Sequence, residues 1–381
     1  MKLSTAELVA LHRELVRTPS VSGKEEGAIA LAAERLAQFG LRVERVGGSL
    51  LAWSGDTGRS GRPFALFDSH LDTVPVCPGW TFAPHAAEIV GDRIHGLGAN
   101  DAKASAAAMV AAAAAFAGRG DSGLGLCLAL VRDEERKSAG TAEIVAELDR
   151  RGLAPAAVVV GEPTGLDLAI AQKGHLVLEL VARGEAAHAA HARALGAPNA
   201  ATALARDLVA IAALLDAESG PLDPRLGRAT VEPTMLEGGT ARNVVSAEAR
   251  AILDCRTVPV EPPEALRDRL AGVVAGELVV LSDRFRPVAT DAGSELVRAA
   301  QRARPEAKLY GSATLSDLTF FAAADAVKAG PGESARSHRP DEFVTVGELA
   351  SGATFYEQLL VELASAVGSD AALLDSPGAR A

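Results

Sequence analysis

Residues 64–67, 124–131 and 156–160 are short runs of almost wholly apolar side chains, each bounded by turn residues or charge. No other feature restricts the architecture of this chain as strongly. A strand with one wet face alternates apolar and polar residues. A run that is apolar throughout is buried on both faces, as in a sheet covered by helices on each side. Segments of helical pattern lie between the runs, so the chain is predicted to be α/β, with βαβ units around a mostly parallel sheet. Ser4 and Glu7 stand at capping-box spacing ahead of Leu8, Leu11 and Leu15, which predicts a first helix. A second is expected over about 24–39, with Ile29, Ala32, Ala33 and Leu36 facing inward, followed by a strand over 41–46.

From about His175 the pattern changes. Leu176, Leu178 and Leu180 alternate with Val177, Glu179 and Val181, and residues 248–256 mix aliphatic and charged side chains at strand spacing. Helices are expected over about 198–216 and again after Glu261. Half-polar strands with helices on one side describe a small α+β layer with one solvated sheet face. Residues 1–173 and 288–381 are therefore expected to form one domain, interrupted by a smaller α+β domain over 174–287. The C-terminal part returns to the first style, with helices near 291–304 and 346–364, an apolar stretch around Ala326 and a frayed tail of about a dozen residues.

Composition narrows the classes of function. Lys and Arg number 38 against 49 Asp and Glu, a net charge of −11. Such a chain is a poor partner for phosphate backbones or anionic membranes and tolerates cationic or zwitterionic small ligands. Nucleic-acid and membrane binding are set aside. Aromatics make up only 4% of a chain that is 48% apolar, so the core is expected to be aliphatic and closely packed. Cys77, Cys127 and Cys255 are odd in number and far apart, with no C-x-x-C. They form neither a disulfide framework nor a cysteine zinc finger, and they fit a reducing compartment. Charges from Glu7 to Arg17 break every early apolar run, unlike a signal peptide. The alanine-rich stretch 104–117 is shorter than the roughly 20 residues of a membrane span. A cytoplasmic location is expected.

The strand runs end in potential metal ligands. Residues 64–67 lead into Asp68-Ser69-His70-Leu71-Asp72, residues 124–131 into Arg132-Asp133-Glu134-Glu135, and residues 156–160 into Gly161-Glu162-Pro163-Thr164. The stretch around Ala326 leads into Gly330-Pro331-Gly332 and then His338, and Asp101 opens an alanine-rich helix. Ligands of open α/β sheets bind beyond the carboxyl ends of the strands, so five distant segments would converge on one edge. Two imidazoles and several carboxylates without a thiolate suit zinc, cobalt or manganese. One carboxylate can bridge two such ions, and an unligated glutamate beside them can move the proton of an attacking water. In the doublet Glu134-Glu135, one acid could ligate while its neighbour faces that water.

His70-Leu71-Asp72, Gly98-Ala99-Asn100-Asp101-Ala102-Lys103, Asp133-Glu134-Glu135, Gly161-Glu162-Pro163-Thr164 and Gly330-Pro331-Gly332-Glu333-Ser334…His338-Arg339-Pro340-Asp341-Glu342 occur in that order over almost the whole chain. Jointly they resemble the motifs of the M20 metallopeptidase family, and most of all its acetylornithine deacetylase and succinyl-diaminopimelate desuccinylase group. The resemblance implies a catalytic domain with an inserted lid or dimerisation domain, and two divalent metal ions, zinc before cobalt or manganese. It implies Asp101 as the bridging ligand, His70 and Glu162 at one ion, Glu135 and His338 at the other, and Glu134 as general base and then acid. Asp72 would hydrogen-bond and orient His70. Within the inserted domain, Gly184-Glu185-Ala186-Ala187-His188 resembles the segment whose histidine reaches across a homodimer to steady the oxyanion, with His191 a near alternative. Asn243 and Arg256 resemble the residues that hold the substrate carboxylate, for which a guanidinium fork is apt chemistry. After the bridging aspartate the family usually has D-x-K-G, where this chain has Asp101-Ala102-Lys103-Ala104.

The activity implied is removal of an N-acyl group from an amino acid, foremost N-acetyl-L-ornithine to ornithine and acetate in arginine biosynthesis. Succinyl-diaminopimelate, acetylcitrulline and dipeptides are alternatives within the same chemistry, and a non-catalytic metal-binding scaffold is the alternative outside it. Taken singly, each acid or histidine is more simply a turn former, helix cap or solvated side chain; order and spacing together reverse that reading. Gly118 to Gly123 matches G-x-G-x-x-G but follows a helix and precedes a strand, the reverse of a dinucleotide fingerprint, and is expected to be a loop. Ser69, His70 and Asp72 are too close along an extended chain to converge as a nucleophilic triad. His12, His85, His95 and His175 are expected to be structural.

Overall fold

The computed structural model describes the chain except for residues 60, 120–122, 219 and 375–381. The middle of the G-x-G-x-x-G segment and the end of the expected tail therefore lie outside the described residues. The rest falls into two compact units. The first comprises Met1–Ile170, Thr290–Tyr310 and Ser316–Ala381, the second Ala171–Ala289 and Gly311–Leu315.

The main sheet runs in the order Arg42–Val46, Ser49–Trp53, Gly125–Val131, Phe64–His70, Ala157–Val160, Ala326–Lys328 and Leu168–Gln172, and the short strands Val288–Ala289 and Leu309–Ser312 both pair with the last of these. Its four inner strands are parallel to one another, while the strands on either side run antiparallel. The sheet thus has the parallel core that was expected, with antiparallel strands flanking it. Part of the reason is local. Val46 pairs with Ser49, leaving Gly47 and Gly48 as a two-residue turn with Gly47 at φ +55°. Such a turn reverses the chain immediately, whereas a parallel return needs a long crossover.

The capping box at Ser4 and Glu7 forms and opens helix Thr5–Arg17. Helix Lys103–Ala117 is buried on nearly every side, packed between the sheet, the first helix and the C-terminal helix Val346–Leu374. Its alanines permit that close approach from several directions. The register of the inner strands aligns their carboxyl ends: His70 lies beside Val131, and Asp68 and Lys328 each lie beside Val160. Whatever follows those residues emerges at one edge.

The second unit is built on an antiparallel sheet in the order Thr230–Gly238, Glu248–Thr257, Gly174–Arg183 and Glu277–Phe285. Burial alternates strictly along Glu248–Thr257. Its inner face packs Leu176, Leu178, Leu180 and Leu253 against Leu204 and Ile211 of helix Ala200–Asp216 and Leu266 and Leu270 of helix Pro263–Ala271. The two outer strands escape a reading by hydrophobic pattern because they are largely exposed.

His12 is one of the buried polar groups of the first unit. Its Nε2–H donates to the Ala99 carbonyl at 2.8 Å, while Nδ1 has no partner. Burial is the main reason its pKa falls to about 4 from the usual 6.5. The unfolded chain therefore takes up this proton before the native one does. The stability that neutral His12 confers is complete above about pH 6.5 and drains away towards pH 4, on the order of 3 kcal/mol in all. His12→Gln, which keeps a donor but cannot titrate, should flatten that part of the stability profile. Urea unfolding of both proteins at pH 7 and 4.5 checks this; parallel losses would refute it.

Candidate metal centre

Strand Phe64–His70 extends three residues beyond its apolar run, so Asp68, Ser69 and His70 are themselves strand residues, and all three are buried. His70 Nε2 lies 3.3 Å from Asp101 Oδ1 and 3.8 Å from Glu162 Oε1. Asp101 belongs to the turn before helix Lys103–Ala117, and Glu162 follows strand Ala157–Val160. The other oxygen of Asp101, Oδ2, is 3.8 Å from His338 Nε2, which in turn lies 2.9 Å from Glu135 Oε2. Two groups of three result, His70–Asp101–Glu162 and Asp101–Glu135–His338, with donor atoms in each within 4.8 Å of one another. They share Asp101, and each of its oxygens faces a different imidazole. All five donors are nitrogen or oxygen, the set that zinc, cobalt and manganese accept. Three protein ligands per ion leave room for water or substrate, as in catalytic sites.

The electrostatics fit the same occupant. Loss of water and then the Asp101 carboxylate push Glu162 up to about 8. Glu134 is raised well above the usual carboxylate range, first by loss of water and then by Glu162, Asp317 and Glu135, against the opposing pull of His70. Burial disfavours a charged His70, but the adjoining Asp101 and Asp72 carboxylates outweigh it and hold its pKa well above normal. The hydrogen bond to Glu135 lifts His338 to about 9. Crowded buried carboxyls repel one another, and divalent cations among them offset that repulsion.

Asp72 does more than the sequence suggested. His70 Nδ1 donates to the backbone carbonyl of Asp72 at 3.1 Å, whereas the Asp72 carboxylate stands 3.6 Å away, beyond hydrogen-bond reach. That buried carboxylate instead accepts from the backbone N–H groups of Glu134 at 3.0 Å and Glu135 at 3.2 Å and from Ser22 Oγ at 2.7 Å. It therefore fixes the loop that carries both glutamates, an outer contact of the kind that holds metal ligands in place. Asp133 and His338, both at φ +59°, put non-glycine residues in the left-handed region on the two loops involved. Glu134 belongs to neither group of three.

Three further buried groups lie near this site, of which sequence reading named only Asp68, within a run of potential ligands, and gave it no role. Asp68 has no hydrogen-bond partner on either oxygen, and Asp317 accepts from Thr141 Oγ1 at 2.5 Å. Lys328 is buried at the end of its strand. Nothing in composition marks them, because burial of a single charge inside an apolar run becomes visible only in three dimensions.

His188, Asn243 and Arg256 all belong to the second unit. The short pairing of Ala187–His188 with Val244–Val245, and the bond from Ala189 N to the Asn243 carbonyl at 2.9 Å, set His188 beside Asn243. His188 Nδ1 accepts from Ala190 N at 3.2 Å, so in the neutral ring Nε2 carries the proton and is free to donate. The His191 ring lies 5.6 Å from it, centroid to centroid. Arg256 forks onto Asp254, with Nε 2.7 Å from Oδ1 and Nη2 3.1 Å from Oδ2, and His175 holds the same carboxylate at 2.9 Å.

Comparison with known proteins adds a family. Residues 66–362, well over half of the chain, match the model of peptidase family M20/M25/M40. A succinyl-diaminopimelate desuccinylase of Marinobacter nauticus is 30% identical over 95% of this chain and 100% of its own length. A second desuccinylase, from Dinoroseobacter shibae, is 34% identical over 70% of this chain and 72% of its own. A probable carboxypeptidase of Aspergillus terreus is 34% identical over 69% of this chain and 63% of its own. Among solved structures, aminopeptidase PepT of Bacillus cereus superposes with a TM-score of 0.75 at 21% identity, covering 95% of this chain and 99% of that one. A dinuclear metal-binding M20 peptidase of Bacillus subtilis gives 0.73 at 16%, covering 95% and 98%. Fold, ligand groups and sequence agree, and the chain belongs to peptidase family M20/M25/M40, as a metal-dependent hydrolase.

Proposed function

We propose that this hydrolase cleaves the amide of an N-acyl amino acid, with N-acetyl-L-ornithine as its foremost substrate. The observation that carries the amide chemistry is the pair of ligand groups joined at Asp101, with Glu134 beside them and in neither. A cation pair held by His70, Asp101, Glu162, Glu135 and His338 would polarise the amide carbonyl and acidify a water. Glu134 takes that water's proton, a task suited to a buried carboxyl whose pKa is raised well above the usual carboxylate range, and passes it to the leaving amine. His188 donates its Nε2–H to the developing oxyanion, and Asn243 and Arg256 hold the substrate carboxylate. For Arg256 this requires its fork to turn from Asp254 or to share it. A homodimer through the second unit belongs to the same reading.

A second substrate is favoured by a specific observation. Of the relatives aligned over more than nine tenths of the chain, three are named succinyl-diaminopimelate desuccinylases and two probable carboxypeptidases; the former point to a succinyl amide and to lysine rather than arginine biosynthesis. Both substrates present an amide beside an amino-acid carboxylate, so the ligand groups serve either. Among the described residues no single helix is long and apolar enough to cross a membrane.

Three outcomes check this reading. Glu134→Ala should bind two equivalents of zinc yet lose about 10²–10⁴-fold in kcat; an active variant refutes the assigned base. Asp101→Ala should bind neither ion, and Glu162→Ala and His338→Ala one each, by metal analysis after dialysis; two retained ions in Asp101→Ala would refute the shared ligand. In a panel of N-acyl amino acids and dipeptides, acetylornithine should give the highest kcat/KM. Preference for succinyl-diaminopimelate would replace the substrate while keeping the mechanism, and no turnover of any amide would favour a scaffold.

A further inference from the structure

Glu342 is buried, and its carboxylate accepts three backbone N–H groups from a segment more than two hundred residues away. Oε2 takes Gly98 N at 3.1 Å, while Oε1 takes Asn100 N at 2.8 Å and Asp101 N at 2.9 Å. The same turn reaches back. Asn100, also fully buried, donates from Nδ2 to the Glu333 carbonyl at 3.1 Å and to Ser337 Oγ at 3.3 Å, and its Oδ1 accepts Glu333 N at 2.9 Å. Gly332 permits this approach, since a Cβ there would meet Asn100 Oδ1 at 2.1 Å. The loop bearing His338 is thus tied to the turn bearing Asp101 at two points, one on each side of the histidine.

We propose that Glu342 and Asn100 are positioning residues that set the distance between Asp101 and His338, and so the affinity for the ion held by Asp101, Glu135 and His338. The physical reason is that neither segment is regular where it carries its ligand. His338 is exposed, at φ +59°, on a loop with only a three-residue helical turn near it, and Asp101 stands in a turn. Ligands on such segments do not inherit their spacing from a helix or a sheet. A charged acceptor shared by three amides, with a buried amide side chain answering it, supplies that spacing through protein bonds alone. The ion of His70, Asp101 and Glu162 depends less on the tie, because His70 and Glu162 are placed by adjoining parallel strands.

This inference rests on the metal pair of the proposed function, and stepwise zinc affinities measured against a chromophoric chelator separate the two. Glu342→Gln places an amide N–H against backbone N–H groups. It should weaken one of the two zinc ions about 10–100-fold and leave the other within about threefold, resembling His338→Ala and not Glu162→Ala. Asn100→Ala should shift the same ion in the same direction. Two ions at wild-type affinity in Glu342→Gln, or equal weakening of both, would overturn the proposal. A wild-type protein that binds no pair would instead overturn the metal reading itself. Should Glu342→Gln fail to fold, hydrogen exchange of chelator-treated wild-type protein decides. The amides of Gly98, Asn100 and Asp101 should be protected, and free exchange there sinks the tie.

Discussion

The Asp101 carboxylate, with one oxygen turned to His70 and the other to His338, is the interaction on which the rest of the centre depends. Without that shared acid only two separate pairs would remain, His70 with Glu162 and Glu135 with His338. With it they become one site able to hold two charges side by side. Asp101 itself comes from neither of the strands that frame it. Its position follows from the turn leading into a buried alanine helix, whose small side chains let the sheet, the first helix and the last helix all close on it.

Around that acid the protein accepts an electrostatic cost. Glu134, Glu162 and Asp68 all have pKa values raised above the usual carboxylate range, chiefly by loss of water and then by neighbouring carboxylates, among them Asp101 and Asp317. A core serving stability alone would place leucine or valine at such positions. Their retention at the carboxyl ends of parallel strands is the mark of a site in which cations complete the charge balance. Asp72 shows how economically this is arranged: one buried carboxylate anchors the backbone of both Glu134 and Glu135, and the adjoining peptide carbonyl orients His70.

The two units follow different burial rules, and so differ in how legible they are. In the first, the inner strands are buried on both faces and stand out as apolar runs. In the second, Gly174–Arg183 and Glu248–Thr257 carry alternating patterns, but the outer strands Thr230–Gly238 and Glu277–Phe285 are mostly exposed and leave little trace. The hairpin at Gly47-Gly48 was visible in principle, since two glycines between apolar stretches mark a two-residue turn. It decides that the near edge of the sheet is antiparallel.

Residue types and their order were enough to determine the chemistry: imidazoles and carboxylates after buried strands, a glutamate doublet, and no thiolate. They also determined the first helix through its cap, and the change from buried to half-buried strands near His175. These are local properties, carried by neighbouring side chains. Distances between segments far apart in the chain are another matter, and only the tertiary structure decided them. It showed that Asp101 faces both histidines, that the Asp72 side chain serves the glutamate loop while its carbonyl serves His70, that Arg256 already holds Asp254, and that Glu342 reaches the turn of Asp101. Each of these follows from strand register and loop path, which place atoms to within an ångström through contacts summed over the whole core. No stretch of sequence contains that sum.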